Sequence, residues 1–288
     1  MNYLIKNIIY FFQSILIYFF FLTGKIIGLK LSRIIFAKLF TLIGPIFKSK
    51  NIVNKNLKIF SQKYPELKIE KIPKNMWKNY GMTFIEYVFL NNFRKNDYHV
   101  SVIGEKNLTE IISKKRPVIF ISGHFANFEL MSMEITKRKV PLATIYRPLN
   151  NIFLNRFMEH LRKKYICQNQ IKKGITGVRE SIEYLKKEKS IALMIDQRVS
   201  EGEIVNFCNK PALTTTLPAQ LSIKFNLDIL PVYIERKKNN NFVIEFHERI
   251  NPKNFKDKID LTIELNNILE KMILRNPNQW IWTHNRWK

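Results

Sequence analysis

Residues 118–130 read VIFISGHFANFEL. The first five, 118–122, form a short uncharged run of β-branched and aromatic residues, the pattern of a strand buried on both faces. Gly123 permits a sharp turn, His124 follows at once, and helical periodicity begins near Asn127 and continues to residue 137. A strand handing over to a helix this quickly is half of an α/β unit. The alternation recurs outward from it. Candidate strands lie at 99–103, 142–146, 191–195, 229–234 and 242–246. Candidate helices lie at 127–137, 151–164, 178–188, 215–225 and 261–275, and residues 51–95 are helical and polar. The pattern predicts an α/β domain with a central, mostly parallel sheet flanked by helices.

The N-terminal side differs. Residues 8–23, IIYFFQSILIYFFFLT, contain no charge and one amide, Gln13. The run is slightly short for a bilayer-spanning helix, and Tyr and Lys flanks extend it; a buried core helix is the alternative. No small-residue cleavage site follows, which disfavours a cleaved leader. Lys25, Lys30, Arg33 and Lys38 follow the run and only Lys6 precedes it. The positive-inside rule then keeps the C-terminal body cytoplasmic. Residues 26–47 interleave aliphatics with Lys and Arg, either to lie along a membrane surface or to pack on the body as an ordinary amphipathic helix. Two units result: an anchor and interfacial helix at 1–47, and a catalytic domain at 48–288.

Composition sets the class of partner. With a formal charge of +25 and a pI near 10.0, the chain favours anions: an anionic membrane, an acidic protein or nucleic acid. A hydrophobic content of 46% supplies a core and excludes wholesale disorder. Cys167 and Cys208 form no CxxC and no Cys/His cluster, so neither a zinc site nor a cysteine nucleophile is expected. The KKGITG stretch, with Gly174 and Gly177, is neither a Walker A nor a GxGxxG pattern. No helix-turn-helix, zinc finger or RNP-type strand accompanies the charge, and no nucleic-acid partner is expected.

His124 stands where catalytic groups gather in such sheets, at a strand's carboxyl end. Glu129 follows five residues later, about one turn inside the helix if His124 occupies the entry loop. A carboxylate folded back onto Nδ1 would fix the tautomer and leave Nε2 to take a proton from a hydroxyl. A structural histidine is the bland alternative. Arg147 follows the 142–146 strand directly, in YRPLN. Asp196, Gln197 and Arg198 follow the 191–195 strand. If the strands are parallel, all stand on the rim that carries His124, and the two arginines are placed to clamp phosphates or a phosphopantetheine arm; ordinary loop arginines are the alternative.

Taken together, these segments resemble the lipid A biosynthesis acyltransferase family, the late lauroyl and myristoyl transferases of bacterial endotoxin assembly. The likeness covers most of the chain. It rests on the apolar N-terminus, Asn56-Leu57, SGHFANFEL, YRPLN, DQR, FCNKPA with Thr214 to Thr216, and PNQWIWTHNRWK at 277–288, in family order. Two departures stand out: Ala126 occupies a usual glycine, and Cys208-Asn209 replace an aromatic and a glycine before Pro211. The resemblance implies a glycerol-3-phosphate acyltransferase-like fold and a catalytic pair at His124 and Glu129. It places substrate contacts at Arg147, Asn127 and the Asp196-Gln197-Arg198 block. It implies acyl transfer from an acyl carrier protein thioester to a hydroxyl of a lipid A precursor, with no metal, cofactor or acyl-enzyme. Oxyanion donors are sought among the amides of Phe125 to Asn127. The setting it implies is the bacterial inner membrane, with one N-terminal anchor and the catalytic domain facing the cytoplasm. Two other readings remain: the same chemistry on a glycerolipid, glycolipid or aminolipid, and a non-enzymatic basic protein that binds membrane or nucleic acid through charge.

Overall fold

In the computed structural model, residues 3–47, 50–114 and 116–288 are described. Helices α1 (Tyr3–Ile27), α2 (Leu29–Phe47), α3 (Lys50–Lys63), α4 (Ile72–Glu86) and α5 (Leu90–Lys95) come first. Then follow β1 (Val100–Ile103), α6 (Glu105–Lys114), β2 (Ile119–Ser122), α7 (Glu129–Lys137), β3 (Leu142–Tyr146), α8 (Ile152–Leu161), β4 (Asn169–Lys172), α9 (Ile175–Lys186) and β5 (Ser190–Met194). The chain ends with β6 (Glu203–Phe207), β7 (Lys210–Thr214), α10 (Leu217–Phe225), β8 (Ile229–Arg236), β9 (Phe242–Phe246) and α11 (Lys258–Arg275).

Seven strands form one sheet in the order β1-β9-β8-β2-β5-β3-β4, and β6 and β7 form a separate hairpin. From β8 to β4 every pairing is parallel, and β9 runs antiparallel to β8. The architecture is therefore the mostly parallel α/β sheet flanked by helices that the sequence predicts. β2 lies at the centre and all four of its residues are buried, which explains its unbroken apolar reading.

The connections locate a crevice. From β2 the chain passes through α7 to β3, and from β3 through α8 to β4, moving one way along the sheet. From β4 it returns through α9 to β5, and from β5 through α10 to β8. Right-handed crossovers place α7 and α8 on one face and α9 and α10 on the other. The loops leaving β2 and β5, which are neighbours, therefore diverge to opposite faces, and their carboxyl ends open a cleft at this switch point.

The two N-terminal helices behave differently. α1 carries a 24-residue apolar segment, Leu4–Ile27, most of which is exposed or half-buried. At 1.5 Å per residue it is long enough to cross a hydrocarbon layer, so it outruns the 16-residue stretch read from the sequence. One flank is tied to α8: Ser14 Oγ donates to Asn151 Oδ1 (3.0 Å), and Asn151 Nδ2 donates to the Tyr10 carbonyl (2.8 Å). Asn151 also accepts from the amides of Phe153 and Leu154, capping α8. Gly28 (φ 82°) turns the chain between α1 and α2.

α2 packs tightly on α4. A side chain at Gly81 would meet the Phe36 carbonyl at 2.0 Å, and one at Gly44 would meet the Trp77 ring at 2.3 Å. Phe36 and Ala37 are buried, whereas Leu31, Ile34, Leu42 and Ile46 remain exposed. α2 thus packs one face on the body and leaves an apolar face outside. Arg33 is not a surface cation: it is buried and donates to Glu86 Oε1 (2.6 Å). It drops out of the charge excess after the apolar run, which then rests on Lys25, Lys30 and Lys38.

Candidate active site

The register of two strands assembles the site. Ser122 on β2 pairs with Met194 on β5, and the Ile195 amide donates to the Ser122 carbonyl (2.9 Å). Two residues further along each chain stand His124 and Asp196. They meet: Nδ1–H of His124 donates to Asp196 Oδ1 (2.7 Å), and the His124 amide donates to Oδ2 (2.7 Å). A third donor, the Trp280 indole N–H, reaches Oδ2 at 2.9 Å.

Asp196 is fully buried. Burial is the strongest influence on its carboxyl and pushes its pKa up, but the His124 charge and the three donated hydrogen bonds together prevail and hold it below the usual carboxylate range. An ionised Asp196 fixes the tautomer of His124, so Nε2 carries the lone pair. The imidazole keeps 20% of its side chain exposed, and the Phe128 ring packs edge-on against it at 4.6 Å. No other described side chain hydrogen-bonds Nε2.

Glu129 lies elsewhere. It is the first residue of α7, buried, and its Oε1 accepts from Tyr87 Oη (2.6 Å), Arg162 Nε (2.8 Å) and Arg162 Nη2 (2.5 Å). The carboxylate on the imidazole is Asp196, and the expected His124–Glu129 hydrogen bond is absent among the described contacts. The reason is local geometry. The helix begins at Glu129 rather than near Asn127, and its first side chain points to the turns that follow α4 and α8, where a buried guanidinium needs a counter-charge. Burial alone would lower the Arg162 pKa; Glu129 outweighs it and raises it.

The loop joining the two regions is held from several sides. Ala126 adopts φ 44°. Its amide donates to the Gln279 carbonyl (3.0 Å), and its own carbonyl accepts from Thr83 Oγ1 (3.0 Å). The Phe125 amide donates to the Gly123 carbonyl (2.9 Å). Of the three amides sought as oxyanion donors, only that of Asn127 has no internal acceptor among the described residues. The Asn127 side chain is buried and donates to Glu86 Oε2 (2.9 Å). Glu86 in turn accepts from Arg33 and Arg236, which places the Asn127 side chain in a buried brace.

The C-terminal segment closes the back of the site. Beyond the Trp280 contact, His284 Nε2 accepts the Arg198 amide (2.8 Å). Burial, chiefly, lowers the His284 pKa to about 4, so it is a neutral acceptor at ordinary pH. Gln279 brackets the Arg236 backbone with two hydrogen bonds of 2.8 Å. Arg286 donates to the Leu213 carbonyl and to Thr214 Oγ1.

Similarity to known proteins now bears on this geometry. The model of a family described as bacterial lipid A biosynthesis acyltransferase matches residues 4–288. The chain belongs to that family. Two relatives are 25% identical over 251 residues, covering 84% of this chain and 79% of each relative: the lipid A biosynthesis palmitoleoyltransferase of Escherichia coli (strain K12) and the lipid A biosynthesis acyltransferase of Shigella flexneri. Among solved structures, the 1-acyl-sn-glycerophosphate (LPA) acyltransferase PlsC of Thermotoga maritima matches with a TM-score of 0.43 and 16% identity, covering 88% of this chain and 100% of that one.

The remaining positions singled out by likeness to lipid A acyltransferases lie around the same rim. Arg147 follows β3 and is exposed; Gln197 and Arg198 follow Asp196 and are partly buried. Arg147 and Arg198 have no acidic partner among the described residues, and Arg198 Nε is buried without an acceptor. Both cysteines are buried, and burial pushes the Cys167 thiol up to about 11, which opposes a nucleophilic role. Cys208 and Asn209 (φ 52° and 56°) make the two-residue turn between β6 and β7, the conformation that favours Asn and Gly. The sequence placed Asp196 among substrate contacts and overlooked its bond to His124; its position directly after a strand was the available signal. Nothing in the local pattern pointed to Trp280 or His284 as neighbours of the dyad.

Proposed function

We propose that this protein transfers a fatty acyl group from an acyl carrier protein thioester to a hydroxyl of a lipid A precursor. The observation that carries the chemistry is the buried Asp196 carboxylate on Nδ1 of a partly open His124. Nε2 removes the proton of the acceptor hydroxyl, and the resulting alkoxide attacks the thioester carbonyl. The tetrahedral oxyanion collapses with cleavage of the C–S bond, and the imidazolium returns its proton to the departing thiolate. Asp196 stabilises the imidazolium between these two transfers. The Asn127 amide is the candidate oxyanion donor. Arg147, Gln197 and Arg198 contact the substrates from the rim. Glu129 acts at a distance: it holds Arg162 and Tyr87, and with them the start of α7.

Family membership and the relatives' names support the substrate class. The sparsely buried α1 supports a bilayer anchor, and the lysines that follow it support a body on the cytoplasmic side of the inner membrane. The net charge of +25 suits an acidic carrier protein, a phosphorylated acceptor and an anionic membrane.

The test is turnover of acyl carrier thioester and acceptor by purified full-length protein. His124→Ala should lower kcat by roughly 10² to 10⁴, with the fold retained by circular dichroism. A near-native rate in that variant would end the proposal.

A further inference from the structure

Among the described residues, six of the thirteen arginines pair with a carboxylate, and Arg94, Arg116 and Arg286 bond carbonyl or hydroxyl oxygens instead. Arg33, Arg138, Arg162, Arg236, Arg249 and Arg275 each meet a carboxylate. Arg147 and Arg198 meet none, and both stand on the rim beside the dyad. A third cation completes the row. Lys173 follows β4, and its amide donates to the Tyr146 carbonyl (2.8 Å), which sets it across from Arg147 on the neighbouring strand. Lys173 is an exposed residue with no salt bridge among the described residues, although the Glu201 charge acts on it from nearby, as does that of Arg147. Because Tyr146 pairs with Lys172 in register, the order along the rim is His124, Arg198, Arg147, Lys173, one strand apart at each step. Strands lie ~4.8 Å apart, so Arg147 and Lys173 stand roughly 10 to 14 Å from the base.

The two outer loops share a pattern. Arg147 is followed by exposed Leu149 and Ile152, and Lys173 by exposed Ile175 and Val178, at the same offsets. Ile175 is 78% exposed. A cation with aliphatic side chains close behind it matches a lipid headgroup with acyl chains below. The row also lies on the side of α1. Asn151, four residues beyond Arg147, is hydrogen-bonded to Ser14 and Tyr10 of that apolar helix. A membrane-resident lipid reaches this side, whereas a soluble carrier protein approaches from the water.

We infer that Lys173 and Arg147 form a subsite for the phosphate monoester of a lipid, with Leu149, Ile152, Ile175 and Val178 seated among its acyl chains. This rests on the lipid-acceptor reading above and names the part of the acceptor that the enzyme grips. Two ammonium or guanidinium groups a strand apart chelate one phosphate through charge-assisted hydrogen bonds.

The experiment reads binding, not turnover, so it stands whether or not acyl transfer to a lipid A precursor is observed. Full-length protein in detergent is titrated with mixed micelles of phosphatidic acid, of diacylglycerol with the same chains, and with acyl-pantetheine, a donor arm that carries no phosphate. Phosphatidic acid should bind about tenfold more tightly than diacylglycerol, the size of one charge-assisted contact. Lys173→Ala should abolish that preference, Lys173→Arg should retain it, and affinity for acyl-pantetheine should stay the same in both. Equal affinity of wild type for the two lipids would overturn the subsite. So would a Lys173→Ala variant that keeps the preference, or one that loses acyl-pantetheine instead.

Discussion

Two buried carboxylates stand at the two ends of one short loop, and they do different work. Asp196 faces a partly open imidazole whose second nitrogen is unoccupied. Glu129 faces a buried guanidinium and a tyrosine hydroxyl, and its Oε1 takes three hydrogen bonds. The first arrangement leaves a proton acceptor with somewhere to act. The second closes a charge inside the protein against a buried cation. The difference teaches that spacing from a histidine is a poor guide to its partner. What counts is which strand end lies alongside, and β5 brings Asp196 to His124 across 72 residues of chain.

The sharpest way to break this contrast is Asp196→Asn. An amide in place of the carboxylate no longer fixes the tautomer or stabilises the imidazolium, and kcat should fall by about 10³ to 10⁴. Glu129→Gln should instead leave Arg162 charged and poorly paired, costing about 3 kcal/mol of stability. The rate per folded molecule should drop less than tenfold. Parallel melting curves and kcat values check both variants. If Glu129→Gln lost as much rate as Asp196→Asn with an unchanged melting temperature, the two carboxylates would have to exchange roles.

How far the sequence could carry this contrast depends on the range of each interaction. The six strands read from it, at 99–103, 118–122, 142–146, 191–195, 229–234 and 242–246, all form, because β-branched runs bounded by breakers report burial directly. β4 (NQIK) escaped notice because an edge strand needs only one buried residue, here Ile171. β6 and β7 escaped because a two-stranded hairpin packs one side and stays polar on the other. His124 was legible from its strand–turn–helix setting. The partner was not, since strand order β2-β5 is a tertiary fact. The same holds for Trp280 and His284, which come back to the dyad from the far end of the chain.

A smaller effect tests the C-terminal wall behind the dyad. His284 accepts the Arg198 amide only while neutral. In the unfolded chain it takes up a proton near 6.5, and in the folded protein near 4. Between those values the unfolded state binds more protons, so stability is lost as pH falls from about 6.5 toward 4. His284→Gln keeps an acceptor oxygen and removes the titration. Its melting temperature should decline less steeply between pH 7 and 5 than that of the wild type. Identical slopes would mean that His284 does not contribute to the acid sensitivity.

The least effect is expected in the loop that separates the two carboxylates' partners. Ala126 sits at φ 44°, a region that costs a residue with a Cβ roughly 1 to 2 kcal/mol. Glycine would remove that strain but would lose about 0.5 to 1 kcal/mol to the greater freedom of the unfolded chain. The balance favours Ala126→Gly by about 0.5 to 1 kcal/mol, a rise of about 1 to 3 °C in melting temperature. The carbonyl contacts to Thr83 and the amide contact to Gln279 are backbone properties and survive the change, so kcat should stay within about twofold. A fall in melting temperature would show that the buried methyl, 4% exposed, holds the loop by packing more than it strains it. The separation of His124 from Glu129 would then depend on a side-chain contact rather than on the hydrogen-bonded backbone between them.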